Sequence, residues 1–90
     1  MKFIVKWKIP KGSVANSEQR FLSTGAPPPA GVTMIGRWHG MSGGGVLIAE
    51  TNDAKALFSW LQYWNDLLEF KTTPCVEDAE AGEVMKAVKR

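Results

Sequence analysis

Phe3, Val5, Trp7 and Ile9 alternate with Lys2, Ile4, Lys6 and Lys8. Strict period two predicts a half-buried strand over residues 2–9. Pro10 cannot donate to a ladder and closes it, and Lys11-Gly12 turns the chain. Ser13 then offers an N-cap for a short helix in which Val14, Glu18, Phe21 and Leu22 share a face, with Gly25 placed to end it. The run Gly25-Ala26-Pro27-Pro28-Pro29-Ala30 has three consecutive prolines without amide hydrogens. It predicts a stiff, extended connector across the sheet.

Residues 31–50 predict a hairpin: two β-branched and aromatic runs flank the glycine-rich corner Met41-Ser42-Gly43-Gly44-Gly45. A turn over Met41 to Gly44 sets Arg37 opposite Ile48, His39 opposite Val46 and Ile35 opposite Glu50. In that register Met34, Gly36, Trp38, Leu47 and Ala49 form a wholly apolar face. The second face carries Ile35, Arg37, His39, Val46, Ile48 and Glu50. A slip of one residue places Leu47 and Ala49 beside the charges instead.

Thr51 or Asn52 caps the next helix, where Ala54, Leu57, Phe58, Leu61 and Trp64 recur at helical spacing and Trp60 and Tyr63 widen the stripe. Asn65-Asp66 ends it. Leu67 to Val76 alternates again, with Pro74 marking an edge strand. Glu77-Asp78 opens a last helix with the stripe Ala81, Val84, Met85 and Val88, and Lys86, Lys89 and Arg90 suit its C-terminal end.

The order strand, helix, strand, strand, helix, strand, helix is the split βαβ pattern. It predicts an α+β, ferredoxin-like βαββαβ domain over residues 1–90 with an appended C-terminal helix. Helices can cover one sheet face. The other mixes Ile4, Ile35, Val46 and Ile48 with Lys6, Lys8, Arg37, His39, Glu50, Glu69 and Lys71, too apolar for a merely solvated surface. A second copy is the simplest cover, which predicts a homodimer through the sheet face, a dimeric α/β barrel.

Composition adds limits. A formal charge of +2, with charges interspersed, argues against a nucleic-acid partner. The single Cys75 excludes an internal disulfide framework and fits a reducing, cytoplasmic compartment. Met1 to Pro10 alternates lysines with apolar residues and has no continuous apolar stretch, so it reads as neither a signal peptide nor an anchor. Four tryptophans in ninety residues suit half-buried cores, interfaces and pockets.

Candidate chemistry centres on the hairpin. His39, the only histidine, is the best candidate for a general acid or base; Arg37 would hold an anionic group and Glu50 would orient the imidazole. Trp38 and Trp64 complete a small-molecule pocket in this reading, with Trp60 and Tyr63 as further aromatic walls. In the alternative, Arg37, His39 and Glu50 satisfy one another's charges across the dimer interface of a structural or regulatory homodimer without a ligand. One histidine and one distant cysteine do not make a zinc or iron site, and nothing positive supports haem on His39, so no metal and no cofactor is expected. Ser42 lacks a nucleophile-elbow context, and the glycine triplet lies between strands, away from any helix N-terminus, so it reads as turn geometry.

Gly36-Arg37-Trp38-His39-Gly40, the glycine corner, the Leu-Ile-Ala-Glu return to Glu50, and Trp60-Leu61 with Trp64-Asn65-Asp66-Leu67-Leu68 together resemble a known family, domain of unknown function 3303. Thr73-Pro74 matches the Thr-Pro near the end of that family's last strand, and the likeness runs over residues 1–80. The resemblance implies a ferredoxin-like, dimeric α/β-barrel fold and no activity. Related barrel families include cofactor-independent monooxygenases and haem-binding proteins, a likeness of fold alone, which leaves a cofactor-free enzyme as a further alternative.

Overall fold

The computed structural model describes residues 1–88. They form β1 (Lys2–Lys8), α1 (Val14–Thr24), β2 (Thr33–Gly40), β3 (Gly44–Glu50), α2 (Ala54–Trp64), β4 (Glu69–Cys75) and α3 (Asp78–Ala87). All strand pairs are antiparallel, in the order β2-β3-β1-β4. The first and third strands are therefore central and Pro74 lies on an edge strand, as the sequence predicts. This is the ferredoxin-like α+β fold with an added C-terminal helix.

One sheet face is covered. Val5, Leu47 and Ala49 from the two central strands are buried there against Leu57, Trp60 and Trp64 of α2. The stripe of α2 is thus Leu57, Trp60, Leu61 and Trp64, spaced i, i+3, i+4 and i+7. Phe58, expected within it, points away and is 60% exposed. The cap is neither Thr51 nor Asn52: Asp53 accepts from the Ala56 amide. Thr51 is buried instead, its hydroxyl donating to Gly31 O at 2.7 Å and accepting from the Asp53 amide at 2.9 Å.

Helix α1 buries Ser17 and packs Phe21 against the core, whereas Leu22, expected on that face, is 82% exposed. Ser13 occupies the N-cap position without a side-chain cap bond. Gly25 ends the helix as predicted, in the left-handed conformation with its amide bonded to Phe21 O. The Arg20 guanidinium clamps the two helices together, donating to both carboxylate oxygens of Asp66 at 2.8 Å and to Tyr63 O at 2.9 Å. Those bonds hold the Asp66 carboxyl below its ordinary pKa. A group depressed in the native state stabilises above its unfolded pKa, and that contribution is lost as pH falls through the lowered native value. Asp66→Asn should therefore flatten the acid limb of a pH-dependent denaturation curve. Because the pair is exposed, the fall in melting midpoint at neutral pH should be only a few degrees at roughly the scale of surface ion pairs.

The hairpin departs from the expected register. Met34 pairs with Ala49, Ile35 has no partner, and Gly36 pairs with Ile48. Beyond this bulge Arg37 lies opposite Leu47, Trp38 opposite Val46 and His39 opposite Gly45. One inserted residue turns every later side chain to the other face. Arg37 and His39 consequently join Leu47 on the helix-covered face, and Trp38 goes to the open face, where it is 58% exposed. The turn itself is the short loop Met41-Ser42-Gly43 between the paired Gly40 and Gly44, with Gly43 left-handed at φ 84°.

Candidate functional site

A cavity of about 360 Å³ lies between the covered sheet face and helices α1 and α2. Its floor is Trp7 and Phe70, cross-strand partners on β1 and β4, beside Leu47 of β3. Trp60, Leu61 and Trp64 of α2 form one wall, and Phe21 with Ser17 and Glu18 of α1 the other. Gly40, Met41, Gly43 and Gly44 of the hairpin corner line the rest of the rim. The glycines shape the floor: a Cβ on Gly45 would meet the Trp7 ring, so its absence lets the indole lie across the strand.

Arg37 and His39 are the polar side chains that β2 contributes. The Arg37 guanidinium donates to Ala26 O at 2.8 Å and Gly25 O at 3.0 Å, and its Cζ lies 5.0 Å from the centre of the Phe21 ring. These bonds anchor the proline-rich connector. They also stabilise Ala26, a buried non-glycine residue held at φ 44° whose amide donates to Thr24 Oγ1. Burial pushes the Arg37 pKa below its ordinary value, and no carboxylate pairs with it among the described residues. It therefore places a positive charge, without a contacting carboxylate, in a mainly aromatic cavity whose opposite wall carries Glu18. His39 packs its ring edge-on against Phe21 at 5.1 Å and Trp7 at 5.6 Å. His39 is exposed, and its ring nitrogens make no hydrogen bond within the described residues.

Of the residues expected to form a pocket, the fold brings Arg37, His39 and Trp64 together and separates Trp38 and Glu50 from them. Glu50 sits on the open face, 3.4 Å from the Lys2 ammonium, which also bonds Glu77 at 3.0 Å. It therefore does not orient His39. Nor do Arg37 and His39 lie on the face through which a second sheet would pack. Trp38 folds over Gly36 on that same open face. Tyr63 points outward beneath Arg20. The expected site omitted Trp7, Phe21, Glu18 and Phe70. Trp7 and Phe70 were recoverable, because the alternation of their strands already places both on the apolar side. Among the described residues no group of three or more histidine, cysteine, aspartate or glutamate side chains is arranged to hold a metal ion. No helix among them is long and apolar enough to cross a membrane.

No curated protein and no solved structure matches the chain. The model of a family described as Domain of unknown function (DUF3303) matches residues 1–89. Matched over nearly its whole length, the chain belongs to that family.

Proposed function

We propose that the cavity binds a small molecule with an anionic head and a flat, apolar body. The observation that carries this reading is Arg37, a part-buried guanidinium at an aromatic cavity with no acidic partner among the described residues. Two carbonyls use only two of its five N–H groups, so donors remain for a carboxylate or sulfonate. His39 adds a second polar contact two residues along the same strand face. Trp7, Trp60, Trp64 and Phe70 supply surfaces for an aromatic or alicyclic body. The volume lies within the range of about 300–1,000 Å³ typical of small-molecule sites.

A matched set of probes tests this reading: 2-naphthoate, the neutral 2-naphthalenemethanol and the cationic 2-naphthylmethylamine, followed by tryptophan fluorescence and thermal shift. The naphthoate should quench fluorescence and raise the melting midpoint, the alcohol should act weakly and the amine not at all. Arg37→Gln should weaken naphthoate binding by about 10- to 150-fold, the equivalent of a charged hydrogen bond worth roughly 1.5–3 kcal/mol. Because Arg37 also anchors the connector, each variant is compared with its own ligand-free midpoint. Equal response to all three probes, or to none, would sink the proposal.

A further inference from the structure

Helix α3 has no buried residue. Most of its apolar stripe is in water: Val84 is 62% and Met85 73% exposed, as is Val88 just beyond the helix at 46%, while Ala81 one turn before is half-covered. A ten-residue helix is marginal by itself, because few propagated bonds offset a costly nucleus. Something should therefore cover the stripe. The chain's dimensions agree: its radius of gyration is 15.3 Å, with a long axis of 50 Å, against about 12 Å expected for a compact domain of this length.

The same chain carries a surface that fits this helix. On the open sheet face Ile4, Val46 and Ile48 are only half covered and Trp38 is exposed. Lysines 2, 6, 8 and 71 around them outnumber Glu50 and Glu69. On α3 the acids Asp78, Glu80 and Glu83 come first and Lys86 last, and Lys89 and Arg90 follow in the sequence. A helix with an acidic first half and one apolar stripe thus faces outward from a molecule whose open face is apolar in the middle and basic around it. Its root is fixed at the end of β1 by the Lys2–Glu77 bridge.

We propose that α3 is an exchanged arm: a second copy of the chain receives it on its open sheet face and returns its own. The pairing is self-complementary, as a two-fold dimer requires. It differs from two bare sheets packed face to face, because the helix supplies the contact.

The test uses the full chain. Sedimentation equilibrium at micromolar concentration should give twice the chain mass. Val84→Asp on the arm and Ile48→Asp on the face should each yield monomers, with unchanged far-ultraviolet circular dichroism for Val84→Asp, whose side chain is exposed. A photo-crosslinking residue at position 85 should join a 15N-labelled chain to an unlabelled one, at a peptide containing Val46 to Ile48. A wild-type monomer overturns the proposal, as does a dimer that Val84→Asp leaves intact. A crosslink confined to one chain means that the arm closes on its own sheet, and overturns it equally.

Discussion

Gly45→Ala should destabilise the protein by about 3 kcal/mol or more, lowering the melting midpoint by roughly 12 °C or more. A Cβ at this position would run into the Trp38 carbonyl on one side and the Trp7 indole on the other. Neither can give way cheaply. The carbonyl belongs to the β2–β3 ladder, and Trp7 forms the cavity floor against His39. The neighbouring Gly43 supplies the comparison. It is left-handed at φ 84° with open space around it, so Gly43→Ala should cost only the left-handed penalty of about 1–2 kcal/mol. Thermal melts of the two variants separate steric need from conformational need within one glycine run. Equal melting points would mean that the corner is turn geometry alone and that the Trp7 indole does not depend on it.

The same glycines show where the sequence is legible. Element order, the edge position of Pro74 and the inner face of β3 follow from periodicity, because Val5, Leu47 and Ala49 must all leave water together. The faces of β2 do not follow. Regular alternation from Met34 puts Gly36 and Trp38 inside and Arg37 and His39 outside, a purely apolar inner face. The bulge at Ile35 reverses that. A glycine following a β-branched residue inside a strand is a weak sign of such a bulge, and here it was the relevant one. What decides the reversal is tertiary: Arg37 is needed inside to bond Gly25 O and Ala26 O, contacts that pattern cannot announce. The helix stripes erred for a related reason. Phe58 and Leu22 are large and correctly spaced by hydropathy, but the sheet offers each helix a narrow strip, and Trp60 and Phe21 fill it. The site was therefore half legible. Arg37, His39 and Trp64 could be named, while their separation from Trp38 and Glu50 required the register.

Trp64→Ala should be the most damaging truncation on α2, at about 3–5 kcal/mol and a loss of roughly 12 °C or more in melting midpoint. The indole is 6% exposed and belongs to both the core and the cavity wall. Its removal extends an existing void instead of making a closed one, so the surroundings cannot collapse to recover the lost contacts. The outer side loses too. Arg20 sits 5.3 Å from the Trp64 ring centre while it clamps Asp66, so the clamp loses its aromatic platform. Trp64→Phe keeps much of the wall and should cost far less. Trp60 lies one turn earlier on the same wall and is buried to a similar degree, so the two truncations share a void and should not add. Urea denaturation of the two single variants and the double variant gives the coupling directly. Strict additivity would mean that Trp60 and Trp64 do not border one cavity, and the proposed binding site would lose its helical wall.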